Sequence, residues 1–412
     1  MTTDRTFVVV GGGLAGAKTA EALRDNDFDG HIVLFAGEEH LPYERPPLSK
    51  EHFTGRKPLD DFTVATGDWY RDHNVELRIG TTVTGLDPRA HTITLPDGST
   101  VGYDTLALAT GSRSRRLPLP GADASGVHHL RTIDEADVLI GAVESGTRLV
   151  VIGAGWIGLE VAASARTRGA SVSVVEAAEV PLFAALGTEM GTVFAELHRA
   201  HGVQLFLGTS VREIVTEGGR ATGVRLGDGA TLAADAVLVA VGAVPNIELA
   251  EGAGLELADG GVAVDASLLS SDPDIVAVGD IAAQQHPTLG ARIRVEHWAN
   301  ALNQPAVAAA TMLGRAAEYT NLPYFFTDQY DLGMEYVGYV PAGGYARVVT
   351  RGDVAAREFV AFWLDENDVV LAGMNVNVWD VTDDVRSLIG SARPVSVDRL
   401  ADPSVPLPDL VS

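Results

Sequence analysis

The chain has 412 residues, 46% of them hydrophobic, with a formal net charge of −25 and no cysteine. The length predicts two or three domains rather than one core, and the acidic balance argues against nucleic acid, whose phosphates are bound by clustered Lys and Arg. The missing cysteines exclude disulfides, thiolate nucleophiles and cysteine-ligated zinc or iron–sulfur clusters, so electrons that this protein handles must travel on a bound organic cofactor.

The amino-terminal segment MTTDRTFVVV does not have the pattern of a signal peptide, because it holds one arginine and a short apolar run that ends in glycines. No apolar stretch of the sequence approaches the roughly 18 residues that a membrane span needs. The sequence therefore predicts a soluble, cytoplasmic protein without a membrane partner.

The segment VVVGGGLAG at 8–16 runs from apolar residues directly into a glycine-rich turn. Gly11, Gly13 and Gly16 have the G-x-G-x-x-G spacing of a strand, turn and helix whose backbone approaches a pyrophosphate at the helix N-terminus. A single match of this kind is weak evidence, because an ordinary glycine turn also satisfies it.

The same pattern returns in VVIGAGWIGLE at 150–160, with Gly153, Gly155 and Gly158 at the motif positions. Two matches in one chain are harder to attribute to chance when the sequences around them are also parallel. They predict two places where a dinucleotide binds.

The similarity between the two halves continues past the glycines, which indicates an internal duplication. Each half goes on to an Asp-Gly turn of hairpin type and a final apolar strand. The matching segments are VELRIGTTV at 75–83 with VQLFLGTSV at 203–211, and LPDGSTVGYDTLALATG at 95–111 with LGDGATLAADAVLVAVG at 226–242.

Residues after Pro245 repeat nothing earlier in the chain. DIVAVGDIA at 274–282 predicts one more buried strand, with Gly279 and Asp280 at its carboxyl end. The Ala-rich segment after VEHW predicts a helix with Pro305 in its first turn, where the missing N–H matters little. In the last part of the chain, VGYVP, ARVVT, EFVAFWL and VVLAGMNV alternate like antiparallel strands, and DVTDDVRSLIG predicts a closing helix.

An acidic residue follows each glycine motif near the spacing of a ribose-binding carboxylate. Glu38 follows VLFAG, and Glu176 ends SVSVVE. At the second motif such a carboxylate also repels a 2′-phosphate, and the next residues, AAEVPLF, offer no arginine to hold one. The pattern favours NADH over NADPH if this site takes nicotinamide.

Two dinucleotides side by side indicate hydride transfer between a fixed flavin and a mobile nicotinamide. The late Asp280 segment indicates that the first site holds the flavin, because a permanently bound FAD extends beyond a single glycine turn.

The chain resembles the FAD-dependent, NADH-using ferredoxin reductases of bacterial oxygenase systems, the putidaredoxin reductase type, and more distantly the rubredoxin reductases and apoptosis-inducing factor. The resemblance covers almost the whole chain. The combination of RPPLSK, two dinucleotide motifs and no redox cysteine pair separates this group from the glutathione-reductase-like disulfide enzymes. The motifs that carry it are VVVGGGLAG, YERPPLSK at 43–50, LALATGSR at 106–113, VVIGAGWIGLE, DIVAVGDIA, VEHWANALNQ at 295–304 and TDQYDLGMEYVG at 327–338.

The resemblance implies cofactor contacts at the matching positions. FAD contacts are implied for Ala15, Glu38, Arg45, Lys50, Val83, Arg131, Asp280 and Trp298, and NADH contacts for Gly155, Ile157, Glu160, Glu176 and Gly242. The motifs and strand ends add further cofactor-binding candidates, which are Gly11, Gly13, Leu14, Gly16, Thr110, Gly111, Gly153, Gly158, Gly279, Glu296 and His297.

Lys50 and Glu160 are the residues predicted to take part in catalysis. Lys50 would place a cation near the reactive edge of the flavin, where reduction deposits charge, and Glu160 would pair with it. The alternative is a buried ion pair with a purely structural role. Trp298 precedes a predicted helix whose N-terminus would point at the flavin's pyrimidine carbonyl, or else it is a core tryptophan.

Two further observations limit the mechanism. The eleven histidines show no metal-ligand spacing, so no metal site is predicted. Residues 324–327 read YFFT where many relatives have Trp-Phe-Trp-Ser, which puts an electron path through tryptophan at this place in doubt.

The expected architecture is α/β, with two Rossmann-like dinucleotide-binding domains of the glutathione-reductase kind and a C-terminal α+β domain. The predicted boundaries are 1–112 and 245–319 for the FAD-binding domain, 113–244 for the NADH-binding domain and 320–412 for the C-terminal interface domain.

The resemblance implies electron transfer from NADH, through non-covalently bound FAD, to a 2Fe–2S ferredoxin that supplies a haem-thiolate monooxygenase or a Rieske oxygenase. Three alternatives are a rubredoxin reductase, a flavin NADH oxidase and a redox-sensing interaction protein.

An acidic chain that receives a ferredoxin, itself usually acidic, needs a local basic patch, because charges are screened over about 8 Å at physiological ionic strength. Two clusters are candidates for this patch: Arg113, Arg115 and Arg116, and Arg292 with Arg294. The alternative is that these arginines solvate a loop or pair with the abundant carboxylates.

Overall fold

The computed structural model describes residues 5–341 and 343–410. Within these residues the strands, in chain order, are β1 Thr6–Val10, β2 His31–Phe35, β3 Val75–Arg78, β4 Gly85–Asp87, β5 Thr92–Thr94, β6 Thr100–Gly102, β7 Thr105–Leu108, β8 Ser112–Ser114, β9 Val127–His128, β10 Arg148–Ile152, β11 Ser171–Val175, β12 Gln204–Phe206, β13 Val211–Glu217, β14 Arg220–Leu226, β15 Thr231–Ala233, β16 Ala236–Val239, β17 Ala243–Pro245, β18 Leu257–Ala258, β19 Gly261–Val264, β20 Ile275–Ala277, β21 Ala282–His286, β22 Ala291–Ile293, β23 Tyr324–Gln329, β24 Leu332–Gly338, β25 Arg347–Asp353, β26 Glu358–Leu364 and β27 Val370–Val376.

The α-helices of the same residues are α1 Leu14–Asp25, α2 Gly67–Asp72, α3 Ile133–Ala142, α4 Trp156–Thr167, α5 Phe183–Ala200, α6 Glu248–Gly252, α7 Trp298–Met312, α8 Thr382–Ser391 and α9 Val397–Ala401. Short 3₁₀ helices cover Pro46–Ser49, Leu59–Phe62, Gly279–Ile281 and Leu407–Leu410. No helix in the described part of the chain is both long and apolar enough to cross a membrane.

The chain divides into two compact units and passes between them several times. The first unit consists of the described residues up to Glu44, of Leu59–Arg113 and of Val244–Pro323. The second consists of Arg45–Pro58, of Ser114–Ala243 and of the described residues from Tyr324 onward. The segment Arg45–Pro58 is thus found in the second unit. The division into three domains stays a prediction.

A five-stranded parallel sheet, β20-β7-β1-β2-β3, forms the centre of the first unit. Its strands are near-continuous apolar runs because both faces of a parallel sheet are covered. In β1 the side chains from Phe7 to Val10 are buried. Helix α1 follows β1 after the glycine turn and packs against α7. Two smaller sheets, β4-β5-β6 and β18-β19-β21-β22, complete the unit.

The second unit contains a matching parallel sheet, β12-β11-β10-β16-β9. The antiparallel sheet β13-β14-β15 lies in the same unit, and from Tyr324 the chain forms a five-stranded antiparallel sheet, β23-β24-β27-β26-β25. Helix α8 packs on β24 and β27. Strand β26 is buried on both faces from Phe359 to Leu364, so its sequence does not alternate as the prediction assumed.

The two parallel sheets confirm the predicted duplication, because the order β7-β1-β2-β3 in one corresponds to β16-β10-β11-β12 in the other. The Asp97-Gly98 turn joins β5 to β6, and the Asp228-Gly229 turn joins β14 to β15. The predicted late strand is β20, which pairs in parallel with β7 and extends the first sheet. The expected fold class is therefore confirmed.

Pro305 lies in the interior of α7, so the prediction that it occupies the first turn is wrong. Its ring leaves the Ala301 carbonyl without the N–H that another residue would donate. The helix continues nevertheless because Ala308, Ala309 and Met312, further along it, are buried in the core of the first unit. Tertiary packing here outweighs the local cost of proline.

Candidate functional site

The first glycine loop joins β1 to α1. Gly11 has a φ of +121°, and a Cβ on it would stand 2.1 Å from the Ala109 carbonyl oxygen. A Cβ on Gly16 would stand 1.8 Å from the carbonyl oxygen of Gly11. Both glycines are therefore needed for the loop and helix to lie against the sheet. A Cβ on Gly13, by contrast, would meet nothing within 4 Å.

The second glycine loop, between β10 and α4, repeats this arrangement. A Cβ on Gly153 would stand 2.3 Å from the carbonyl oxygen of Ala240, and one on Gly158 would stand 2.3 Å from that of Gly153. Gly155 again faces open space, with nothing within 4 Å of a Cβ. The fold does not require glycine at Gly13 or Gly155. Both loops thus fit a bound pyrophosphate, which needs close approach to the backbone at this motif position.

The two predicted carboxylates lie at the carboxyl ends of β2 and β11, but they are held differently. Glu38 accepts a hydrogen bond of 2.5 Å from the Tyr43 hydroxyl. Glu176 accepts main-chain N–H groups from Ala154, at 2.7 Å, and from Ala178, at 2.9 Å. Each carboxylate oxygen has a second lone pair, so both side chains can still accept a hydrogen bond from a ribose hydroxyl.

Strand ends of the first unit carry several other predicted residues. Thr110 exchanges hydrogen bonds with Asn246: its hydroxyl donates to the Asn246 carbonyl at 2.6 Å, and the Asn246 amide donates to the Thr110 carbonyl. The N–H of Gly279 donates to the side chain of Gln304 at 2.7 Å. Asp280, next to it, is buried. The Gly279–Ile281 turn is thereby fixed at the carboxyl end of β20.

Trp298 is the first residue of α7, not the residue before it, and its indole N–H donates to the Glu44 carboxylate at 2.9 Å. His297 is the residue at the N-cap position of the same helix. Burial lowers the pKa of His297 to about 4, against a smaller opposing effect of Asp280. Glu296 pairs with Arg294 at 2.7 Å. The start of α7 is therefore held by side-chain contacts within the first unit.

A buried ion pair lies in the second unit, where Lys50 Nζ is 2.8 Å from Glu160 Oε2. The two residues are 7% and 5% exposed. Glu160 also accepts hydrogen bonds from the hydroxyls of Ser49, at 2.5 Å, and Thr327, at 2.7 Å. The carboxylate thus has three donors, which compensate for its removal from water.

Ser49 and Thr327 are site residues that the sequence analysis missed. Both stand inside quoted motifs, RPPLSK and TDQYDLGMEYVG, but their partner Glu160 is more than a hundred residues away in sequence. The neighbouring Asp328 has its pKa raised by burial, against the opposing effect of the Lys50 cation. Lys50 therefore interacts electrostatically with a second carboxyl group, Asp328, besides its ion-pair partner Glu160.

Three other predicted site residues of the second unit have the following contacts and exposures. Arg45 donates from its guanidinium to the Arg131 carbonyl. Ile157, at the start of α4, is 41% exposed. Gly242 has a φ of +103°, and its carbonyl accepts the Arg115 N–H at 3.0 Å.

The predicted site residues divide between the units. Those in the first are Gly11, Gly13, Leu14, Ala15, Gly16, Glu38, Val83, Thr110, Gly111, Gly279, Asp280, Glu296, His297 and Trp298; those in the second are Arg45, Lys50, Arg131, Gly153, Gly155, Ile157, Gly158, Glu160, Glu176 and Gly242.

The arginines of the predicted docking patches have partners within the protein. Arg113 pairs with Glu248 at 2.7 Å, and Arg116 binds the His129 ring at 2.7 Å. Arg292 donates to the carbonyls of Val264 and Ala283, and Arg294 reaches those of Asp259 and Asp280. The alternative that these arginines serve local structure is thus realised for most of them, and the docking patch stays a prediction.

No group of three or more His, Asp or Glu suited to hold a metal ion occurs among residues 5–341 and 343–410.

Comparison with known proteins gives one consistent result. Residues 5–304 match the family described as pyridine nucleotide-disulphide oxidoreductase, and residues 324–411 match the family described as reductase C-terminal.

Individual relatives match over most of their length. The chain is 41% identical to rhodocoxin reductase of Rhodococcus erythropolis over 357 residues, which are 87% of this chain and 83% of the relative. It is 38% identical to the ferredoxin–NAD(+) reductase component of the anthranilate 1,2-dioxygenase system of Burkholderia cepacia, over 97% of this chain and 98% of the relative. The crystal structure of the ferredoxin reductase for the CYP199A2 system of Rhodopseudomonas palustris superposes with a TM-score of 0.94 at 37% identity, covering 100% of both chains.

Proposed function

The chain belongs to the pyridine nucleotide-disulphide oxidoreductase family, and from that membership we propose that it is the NADH-oxidising reductase of a bacterial oxygenase system. It transfers electrons from NADH through bound FAD to a 2Fe–2S ferredoxin, which supplies a cytochrome P450 monooxygenase or a Rieske oxygenase. The observation that carries this proposal is the pair of glycine loops, each open at its middle glycine, in a chain without cysteine. Electrons that reach the flavin have no disulfide of this chain to reduce and must leave to an external acceptor, which we propose is the ferredoxin.

FAD and NADH supply hydride transfer and one-electron transfer, which no side chain of the protein performs. We assign FAD to the first loop, where Glu38 and the buried Asp280 accept hydrogen bonds from its ribose and ribitol. NADH takes the second loop, where Glu176 accepts from ribose and repels a 2′-phosphate. The protein acts in the cytoplasm, where NADH is available as an electron donor.

Lys50 is proposed to act as a fixed cation beside the flavin ring. Its charge is useful there because it sits in a dry environment, and Glu160 with Ser49 and Thr327 keeps the ammonium group at one position. Glu160 neutralises Lys50 in the resting protein. No acid, base or nucleophile is required of any side chain.

The three predicted domains are proposed to divide these tasks. The FAD-binding domain, residues 1–112 and 245–319, and the NADH-binding domain, residues 113–244, each contain one of the parallel sheets. The C-terminal domain, residues 320–412, contributes Thr327 to the ion pair.

The test is turnover of the purified protein with NADH against a panel of ferredoxins and rubredoxins. We expect one non-covalently bound FAD per chain and rapid NADH oxidation only with a 2Fe–2S ferredoxin. A protein that takes up no flavin when FAD is added contradicts the proposal. Rapid oxygen-driven turnover would instead identify an NADH oxidase, turnover with rubredoxin alone a rubredoxin reductase, and no turnover a redox sensor.

The coenzyme preference is tested at Glu176. Glu176→Arg should narrow the difference in catalytic efficiency between NADH and NADPH, because the change removes repulsion of the 2′-phosphate. The effect is about 1–3 kcal/mol in transition-state binding. Glu176→Gln is the control that keeps the side-chain size. Equal catalytic efficiency with both coenzymes in the unmodified protein would contradict the assignment.

A further inference from the structure

Few large apolar side chains are exposed in the described residues. The exposed ones are Ile79, Val138, Ile157, Phe183 and Trp379. Phe183, which is 50% exposed, is the first residue of α5 and was not among the predicted site residues. A single exposed phenylalanine needs no explanation by itself. Its position relative to the second glycine loop is what requires one.

The residue before it, Leu182, ties Phe183 to that loop. The N–H of Leu182 donates to the carbonyl of Ala154, the residue between Gly153 and Gly155, at 3.0 Å. The N–H of Ala154 in turn donates to Glu176 at 2.7 Å. Consecutive Cα atoms are about 3.8 Å apart, so the Phe183 backbone follows directly on a residue in contact with the loop.

The backbone conformation of Leu182 is unfavourable for a leucine. Its φ of 55° and ψ of 19° are left-handed, a region that bulky side chains seldom adopt. The conformation buries the Leu182 side chain, which is 6% exposed, and leaves that of Phe183 outside. Left-handed non-glycine residues persist only where the surroundings hold them, and such positions are common at ligand clamps.

The chain around Phe183 offers no cation to a nucleotide. Residues 177–186 read AAEVPLFAAL, without Lys or Arg. Ile157, two residues after Gly155, and Phe183 are both exposed apolar residues, and a Cβ on Gly155 would meet nothing within 4 Å. An aromatic ring recognises a purine base by stacking, which needs no charge and depends little on ionic strength.

We propose that the Phe183 ring stacks on the adenine of NADH. The inference rests on the proposed function, since it assumes that the second loop binds this coenzyme. It assigns the adenosine end of the coenzyme to Glu176 and Phe183 together: the carboxylate takes the ribose, and the ring takes the base. Recognition at this end is thus non-cationic, which agrees with a site that rejects a 2′-phosphate.

The experiment separates the two ends of the coenzyme. The variants are Phe183→Ala, Phe183→Trp and, as a matched control, Val138→Ala, which removes an exposed apolar side chain of α3 in the same unit. Binding of NAD+ and of 5′-AMP to the flavin-loaded protein is measured by calorimetry. The half-saturating concentrations of NADH and of reduced nicotinamide mononucleotide, which lacks adenosine, are measured from the rate of flavin bleaching.

Phe183→Ala should weaken NAD+, NADH and 5′-AMP binding by about tenfold and leave the mononucleotide unchanged. Phe183→Trp should restore most of the affinity, and Val138→Ala should change none of these values. Unchanged 5′-AMP binding in Phe183→Ala overturns the inference, and so does equal weakening of the mononucleotide, which would indicate a general disturbance of the loop. Failure of the unmodified protein to bind NAD+ or NADH overturns the proposed function itself.

Discussion

The first and second glycine loops share three glycine positions and the same sheet order around them, but different chain segments complete them. Around the first, Asp280 after β20 is buried and His297 before α7 is half-buried. Around the second, the exposed side chains of Ile157 and Phe183 remain. Under the proposed assignment of FAD to the first loop and NADH to the second, this difference fits a cofactor that stays bound and a coenzyme that leaves after each turnover.

A second difference concerns equivalent positions of the two helices that follow the loops. Lys18 in α1 and Glu160 in α4 both lie seven residues after the first motif glycine, Gly11 or Gly153. Lys18 pairs with Glu21 at the surface, with side chains 28% and 33% exposed. Glu160 pairs with Lys50 in the interior. The equivalent position therefore holds a partly exposed charge in α1 and a buried charge in α4.

The largest expected effect follows from that contrast. Lys50→Met or Glu160→Leu alone should destabilise the protein by about 3–5 kcal/mol, because each leaves a buried charge without its partner. The double variant should cost less than the sum of the two, and Lys18→Met, the matched surface control, less than about 1 kcal/mol. Urea unfolding measures all four. Additive single effects would show that the pair is not coupled.

The glycine loops provide the second prediction. Gly11→Ala should destabilise the protein by about 3 kcal/mol, because its φ is positive and its Cβ would collide with the Ala109 carbonyl. Gly13→Ala meets open space, so it should leave the unfolding midpoint of the flavin-free protein unchanged while weakening FAD retention about tenfold. Thermal unfolding and flavin content report the two properties separately.

The second loop repeats this test for the coenzyme. Gly155→Ala should leave flavin content unchanged and weaken NAD+ binding. If Gly155→Ala lowers flavin content and Gly13→Ala does not, the assignment of FAD and NADH to the two loops is reversed.

Acid should destabilise both units through one histidine each. Burial lowers the pKa of His198 in the second unit, as of His297 in the first, to about 4. In the unfolded chain a histidine takes up a proton near pH 6.5, so stability is full above that pH and falls as the pH drops towards 4, by up to about 3 kcal/mol for each residue.

The histidine contribution is tested by His198→Gln, which keeps a donor for the Gln329 side chain, 2.8 Å from His198 Nε2. The variant should lose less stability than the unmodified protein between pH 6.5 and 4, as measured by urea unfolding at each pH. Parallel curves for the two proteins would assign the acid sensitivity to other groups.

The smallest effect on stability is expected for the arginine patch. The double variant Arg115→Glu/Arg116→Glu should lower the free energy of unfolding by less than about 1 kcal/mol, since both side chains are largely exposed. The same variant should slow ferredoxin-linked cytochrome c reduction and flatten its salt dependence, while ferricyanide reduction stays near normal. Full ferredoxin activity at low salt would place docking elsewhere. The Arg292 and Arg294 variants are less informative, because these side chains hold main-chain carbonyls.

Features that depend on the local spacing of residues could be predicted from the sequence. The glycine positions, the Asp-Gly turns and the late strand β20 followed from patterns a few residues long. Three features depended on distant partners and were not predictable: the grouping of Arg45–Pro58 with the second unit, the helix that continues through Pro305, and the hydroxyls of Ser49 and Thr327 on Glu160. In each case tertiary contacts, not local preference, decide the outcome.

The position of β20 in the chain has a consequence for synthesis on the ribosome. Leu106 of β7 pairs with Ile275, and the whole second parallel sheet, from β9 to β16, is encoded between them. At translation rates of roughly 5–20 residues per second, β7 waits roughly ten to thirty seconds for its neighbour. The later half of the duplication can therefore complete its sheet before the earlier half, whose open strand edge must be kept from other nascent chains in the meantime.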